Sequence, residues 1–350
     1  MFFIGKGQKI MYNKEKGKER CTVVTELTAR LTGATRKKWE CLLETAGLTP
    51  EELPEQTALV WDGDTLAATG SRQRNLLKYL AVDPEYRGSD LTATVLSALK
   101  TDAFANGYDR LFLYTKPENK WMFTSLFFYS VAATDRVLLM EDRRGGFREY
   151  LESLPEEAPQ GIIGAAVMNC NPFTKGHRYL IETAAKECRK LYVFVLSEDA
   201  SRFSAKDRME MVKLGTADLP NVTVLPTGPY MVSAATFPTY FLKNREQAQQ
   251  VQCDLDVAIF GSHIAPRLGI TRRYVGTEPL SPATAQYNEA LKSQLPQKGI
   301  EVRELPRLET EGQVISASAV RQRLDAGEDI RDLVPETTYH YLIQGGNNHG

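Results

Sequence analysis

Nothing in this 350-residue sequence is long and apolar enough to cross a bilayer. Its longest apolar stretches, such as residues 161–168, stop far short of the roughly 20 residues a membrane helix needs. The start of the chain also lacks the basic segment, long apolar stretch and small-residue cleavage site of a secretory signal, so a cytoplasmic location is expected. Cysteine is sparse: Cys21, Cys41, Cys170, Cys188 and Cys253 are an odd number without a C-x-x-C pair. That spacing argues against a disulfide framework and against a zinc site, and for reduced thiols. Net charge is nearly absent, 43 Lys and Arg against 44 Asp and Glu. Such a balance gives no bulk attraction to nucleic acid or an anionic membrane, so neither is an expected partner. No internal repeat or low-complexity tract is visible.

What is present reads as an ordinary globular protein, 42% hydrophobic and 25% charged, with length for two domains that each bury a core. Residues 1–20 are basic and without an apolar period, and are expected to be a flexible lead-in, with Met11 as a second possible start. Residues 21–155 form the first expected domain: an apolar strand at 76–82, a helix at 91–103, a short strand at 111–114 and a helix from about Asn119. The acidic, proline-bearing stretch ESLPEEAPQ at 152–160 marks the boundary. Residues 160–345 then alternate strand and helix. Strands are expected at 162–168, 191–196, 222–225, 257–260 and near Tyr274 and Val302, with helices from His177 and Ala205. Alternation of this kind implies an α/β fold with a parallel sheet covered by helices on both faces. The tail GGNNHG after Gln344 has nothing to pack against.

The most informative segment runs from the apolar strand at 162–168 through Asn171-Pro172 and Thr174-Lys-Gly-His177 into a helix. The helical spacing of Leu180, Ile181, Ala184, Ala185 and Cys188 places the helix start near Gly176 and His177. Its unpaired N–H groups then face the carboxyl end of the strand, which is an anion site before any side chain is counted. Gly176 permits close backbone approach, Thr174 supplies a hydroxyl, and His177 can donate to a phosphate oxygen as charge develops on it. A second helix start lies at Ile315-Ser-Ala-Ser-Ala-Val-Arg321, closed by Gly327. Ser318 and Arg321, three residues apart, share a face there, where hydroxyl, guanidinium and helix dipole all favour an anion.

The first motif resembles the T/H-x-G-H signature of the nucleotidyltransferase superfamily, and the second its I-S-S-T-x-x-R signature. Longer phrases narrow the resemblance: MNCNPFTKGHRYLI at 168–181, SEDASRFSAKDR at 197–208, ATFPTYF at 235–241, and YVGTEP at 274–279 followed by TAQYN at 284–288. Together they resemble the citrate lyase ligases over most of residues 160–345. The resemblance implies that ATP, with Mg²⁺, activates acetate as acetyl-adenylate. The acetyl group then passes to a phosphopantetheine-type thiol on the acyl-carrier subunit of citrate lyase, releasing AMP.

It further implies catalytic roles for His177, Thr174, Arg321 and Ser318, and nucleotide contacts from Asn171, Phe173, Gly176, Gly261, Ser316 and Lys206. No metal ligand is expected on the chain itself. Gly261 is expected at the end of the strand at 257–260, beside the adenine. Ser262-His263 stands there where an acidic residue is common in the superfamily. The charged loop carrying Glu198, Asp199, Ser201, Arg202 and Lys206 offers contacts to ribose, Mg²⁺ or carrier protein, or is merely solvated. Cys170 is expected to pack rather than react.

Upstream, the strand at 76–82, the turn DPEYRGSDL at 83–91, the following helix and YTKPEN at 114–119 resemble GNAT-type acetyltransferases. In that family a Q/R-x-x-G-x-G/A turn binds the pyrophosphate of acetyl-CoA. Arg87 and Gly88 fit, whereas Glu85 replaces the first polar residue and Asp90 puts a carboxylate where a small residue belongs. The expectation is a docking or structural domain. The alternatives are an adenylyltransferase acting on a phosphate-bearing acceptor, a non-catalytic nucleotide sensor, and a GNAT-type acetyltransferase.

Overall fold

The structure is a computed structural model that describes residues 8–9, 23–156, 161–198, 201–231, 237–242, 248–278, 281–310 and 313–345. The expected lead-in, except Gln8 and Lys9, lies outside these residues, as do Asp199 and the tail beyond Gly345. The chain divides into two compact units, residues 1–146 with 238–248, and residues 147–237 with 249–350.

In the first unit eight strands line up in chain order until the last two exchange places. They are β1 (Gln8–Lys9), β2 (Val23–Thr28), β3 (Gln56–Asp62), β4 (Thr65–Gln73), β5 (Leu76–Val82), β6 (Phe112–Thr115), β7 (Tyr129–Ala133) and β8 (Leu138–Glu141). Helices α1 (Gly33–Thr45), α2 (Leu91–Ala105) and α3 (Lys120–Ser125) complete it. The core joins Leu91, Val95, Leu96 and Leu99 of α2 to Ala58, Val60, Ala68 and Leu77 of the sheet, so α2 buries the apolar stripe its sequence spells.

All strand pairs here are antiparallel except β5 with β6, which share only Leu76↔Phe112 and Leu77↔Leu113. Beyond those pairs Tyr240, from the returning segment 237–242, spans both strands. Its ring lies 4.9 Å from that of Tyr79 on β5, and its hydroxyl donates to the carbonyl of Tyr114 on β6 at 3.2 Å. The Thr49 N–H donates to the Tyr240 carbonyl at 3.0 Å.

The second unit begins with α4 (Gly146–Ser153), whose Phe147 and Tyr150 rings pack 4.8 and 5.1 Å from Tyr230. The division between the units therefore falls ahead of the proline-bearing stretch at 152–160, because these aromatic contacts carry α4 with the second unit. Five strands follow: β9 (Ile163–Met168), β10 (Lys190–Val195), β11 (Val222–Pro226), β12 (Arg272–Gly276) and β13 (Glu301–Leu305). Their order is β11-β10-β9-β12-β13, and every pair is parallel.

Parallel neighbours need crossovers. These are α5 (Lys175–Glu187), α6 (Ala205–Leu214), α7 (Ala248–Asp256) running on to α8 (Ala265–Leu268), and α9 (Pro282–Gln294); α10 (Ala317–Ala326) and α11 (Glu336–Gly345) follow the last strand. The chain winds to one side of β9 and then to the other, so the carboxyl end of β9 is the switch point where sheets of this kind bind ligands. Gly164 makes the central layer possible, because a Cβ there would stand 2.5 Å from the Cys188 sulfur.

One expected strand is a helix. Residues Val257–Ile264 form π-helical turns that join α7 to α8, with Gly261 buried inside them. The alternation of apolar and polar residues over 251–259 imitates a strand, but nearly every position from Val251 to Phe260 is buried. A helix enclosed on all sides has no polar face to reveal its period, and short apolar runs do not distinguish the two forms.

Candidate active site

The loop between β9 and α5 is built around Arg208. This guanidinium is fully buried and donates to the Asn169 carbonyl at 3.0 Å, the Asn169 Oδ1 at 2.6 Å, the Leu196 carbonyl at 2.8 Å, the Phe203 carbonyl at 3.1 Å and the Glu198 carbonyl. It thereby gathers the ends of β9 and β10 and the loop leading to α6. Asn171 adds a further tie, its Oδ1 accepting the Phe203 N–H at 3.1 Å.

Thr174 caps α5 in a reciprocal box with His177. The Thr174 hydroxyl accepts the His177 N–H at 3.3 Å, and the Thr174 N–H donates to His177 Nδ1 at 3.0 Å. A backbone N–H can only donate, so Nδ1 is an acceptor and the ring proton resides on Nε2. Burial, and secondarily the Arg307 charge, lower the His177 pKa to about 4. At neutral pH the ring is therefore an uncharged Nε2–H donor, and His177 lines the cavity at the head of the sheet. Phe173 supports it from behind: fully buried, its ring lies parallel to the imidazole at 5.9 Å.

The same wall includes the start of α10. Ser316 caps that helix through the Ala319 N–H at 3.1 Å, and Gly327 ends it with φ of +70°. Gly176 lets the two helix starts meet, because a Cβ on it would lie 3.1 Å from the Ile315 carbonyl. Arg321 ties the two motifs together, donating from Nη1 to the Asn171 carbonyl at 2.6 Å and from Nη2 to the Ser318 hydroxyl at 3.0 Å.

Thr174, Gly176, His177 and Ser316 thus line one cavity with Val167, Met168, Arg273 and Arg307. Arg321, Ser318 and Asn171 are bonded to one another and are not among the lining residues. Lys206 is on the exposed face of α6. Gly261 faces Leu295 and Lys298, so the position expected beside adenine is within a helix packed on the segment after α9. Arg202 is spent on α10, donating to the Arg321 carbonyl at 3.2 Å and to Asp325 at 2.6 Å. Ser201 bonds Asn169 at 3.2 Å.

Besides Arg208, two arginines escaped the sequence reading. Arg273 of β12 is buried against Asp256 at 3.1 Å and lies over the Phe260 ring at 4.4 Å. The Tyr287 hydroxyl donates to the same carboxylate at 2.6 Å, fixing α7 and α9 to the sheet. Arg307 directly follows the Pro306 that ends β13. The only signal was a guanidinium at the carboxyl edge of a parallel strand, which is a weak one.

Burial raises the thiol pKa of Cys170, pushes Cys253 up to about 12, and raises Cys188 as well. These three are packing residues and poor nucleophiles. Among the described residues no group of three or more His, Cys, Asp or Glu is placed to hold a metal, and the cavity lining contains no carboxylate. The described residues thus offer no carboxylate cage for Mg²⁺, an ion that commonly enters such sites on substrate phosphates. Among the described residues no helix is long and apolar enough to cross a membrane.

The depressed histidine gives a pH signature. Between about pH 6.5 and 4 the unfolded chain takes up a proton at residue 177 that the folded chain refuses, so stability falls as pH drops through that window. A shift of this size corresponds to about 3 kcal/mol. Denaturant titrations at several pH values should show this loss in the parent and most of it removed in His177→Asn.

The second unit is thus an α/β domain whose parallel sheet carries, at its switch point, a cavity lined by two capped helix starts, a neutral histidine and arginines. The description "Citrate lyase ligase C-terminal domain" matches residues 163–342. A [Citrate [pro-3S]-lyase] ligase of Klebsiella pneumoniae is 42% identical over 287 residues, 80% of this chain and 84% of that protein. The chain belongs to the citrate lyase ligase family. Among solved structures, a putative nicotinate-nucleotide adenylyltransferase from Vibrio parahaemolyticus covers 53% of this chain and 94% of its own at 17% identity and a TM-score of 0.33. Escherichia coli ElaA covers 35% of this chain and 100% of its own at 12% identity and a TM-score of 0.31.

Proposed function

We propose that this protein uses ATP to convert acetate to acetyl-adenylate and delivers the acetyl group to the prosthetic-group thiol of the citrate lyase acyl-carrier subunit. The observation that carries this reading is the Thr174–His177 box, which holds the ring proton on Nε2 of an imidazole that burial, and secondarily Arg307, keep neutral. In the first step a carboxylate oxygen of acetate attacks the α-phosphorus, and the bond to the β-phosphate oxygen breaks, releasing pyrophosphate. Charge accumulates on phosphoryl oxygens, where the Nε2–H of His177 and the helix starts at Gly176 and Ala317 provide fixed donors. Mg²⁺ accompanies the triphosphate and neutralises part of its charge.

In the second step the carrier thiolate attacks the acetyl carbonyl, the acyl–phosphate bond breaks, and AMP leaves. No cysteine of this chain needs to be acylated. The acetyltransferase alternative is disfavoured by Tyr240, which fills the place where β5 and β6 part.

The reading is tested by incubating the protein with ATP, Mg²⁺, radiolabelled acetate and deacetylated citrate lyase. The expected result is label on the carrier subunit in a hydroxylamine-sensitive thioester, with one AMP formed per acetyl transferred. ADP in place of AMP, or label that never reaches the carrier, contradicts it.

A further inference from the structure

We propose that Arg307 is a ligand of the nucleotide's phosphates, held ready for them by Glu278 and Thr277. The inference rests on the ATP-using reaction above and adds to it a residue outside both signature motifs. Arg307 lines the cavity together with Gly176, His177, Ser316 and Ala317, so its guanidinium shares a wall with both helix starts. Its charge is felt at His177, whose pKa it helps to depress. The next residue is clipped to the start of α10, with the Ile315 N–H donating to the Leu308 carbonyl at 3.1 Å.

The guanidinium is fixed along one edge and open along the other. Nε donates to the Thr277 carbonyl at 2.6 Å, and Nη2 donates to Glu278 Oε2. The Arg307 N–H donates to the Thr277 hydroxyl at 3.2 Å. Nη1 has no partner among the described residues. Three N–H groups therefore remain, two on Nη1 and one on Nη2, for an acceptor in the cavity, in the planar geometry that suits phosphate oxygens.

Glu278 explains why the arginine stays in place. Its side chain is only 9% exposed, and a buried carboxylate without its cation is costly. Its other oxygen accepts the Ser281 N–H at 3.2 Å, and Glu278 is absent from the cavity lining. The carboxylate thus orients Arg307 from behind without presenting negative charge to an incoming phosphate. An orientation established before binding costs nothing at the moment of reaction.

The test is calorimetric titration of the full chain with inorganic pyrophosphate and, separately, with MgATP, for the parent, Arg307→Gln and Arg307→Lys. A charge-assisted hydrogen bond of ordinary strength corresponds to about a 10- to 100-fold change in affinity, and that weakening is expected in Arg307→Gln. Arg307→Lys keeps the ion pair with Glu278, and hence the fold, and is expected to bind several-fold more weakly because an ammonium has no second edge. Arg307→Lys should nearly preserve the parent's melting temperature, whereas Arg307→Gln should lower it by leaving the Glu278 carboxylate without its cation. With its cationic neighbour removed, His177 should titrate at higher pH, so the acid limb of kcat/KM for Arg307→Gln should move upward. If the parent binds both ligands and the two variants match its affinities and acid limb, the inference about Arg307 is overturned while the ATP reading stands. A parent that binds neither ligand overturns both.

Discussion

His177→Ala is expected to lower the rate of acetate-dependent pyrophosphate release by about 100- to 10,000-fold, with a much smaller change in the KM for ATP. The reasoning follows from the ring's two nitrogens. Nδ1 is committed to the Thr174 N–H at 3.0 Å, so the donor that remains is Nε2, a neutral group whose hydrogen bond strengthens as charge builds on phosphorus. In the proposed reaction, ground-state binding falls more to the helix starts and the arginines, which the mutation leaves in place. His177→Asn keeps a side-chain donor and is expected to retain more activity than alanine. A raised KM for ATP with kcat unchanged would instead mark His177 as a general binding residue.

Arg208→Met is expected to destabilise the second unit by about 3–5 kcal/mol, the largest stability effect of any single change considered. Arg208 is fully buried and serves oxygens from Asn169, Leu196, Glu198 and Phe203. Methionine fills much of the volume but leaves those oxygens without donors, and each unpaired buried acceptor costs about 1–3 kcal/mol unless water reaches it. Globular proteins typically hold about 5–15 kcal/mol in total, so this single change consumes a large part of the margin. Chemical denaturation provides the measure. A loss below about 1 kcal/mol would mean that the loop finds other donors.

Much of the second unit was legible because its strands are apolar runs bounded by turns. The strand expected at 191–196 is β10, Lys190–Val195, and that at 222–225 is β11, Val222–Pro226. In the first unit, 76–82 coincides with β5. The stretch 257–260 misled because a helix buried on all sides loses its period, so Gly261 sits within helical turns and not at a strand end. At the site, Thr174, Gly176 and His177 were readable from local context: a strand, a cap and a helix within a few residues.

Arg208, Arg273 and Arg307 were not readable, being three of 43 basic residues whose partners lie far away in sequence. Arg273, for example, meets an Asp256 seventeen positions upstream, and Arg307 acts on a His177 from another strand's crossover. Tyr240 carried no local signal either, since its role depends on a strand pair more than a hundred residues upstream.

The most direct test is isotope exchange between pyrophosphate and ATP, measured with Mg²⁺ in the presence and absence of acetate and without citrate lyase. If acetate is adenylated at the His177 cavity, exchange should appear only when acetate is added and should be nearly lost in His177→Ala. Exchange that ignores acetate, or that survives the substitution at the parent's rate, would contradict the account.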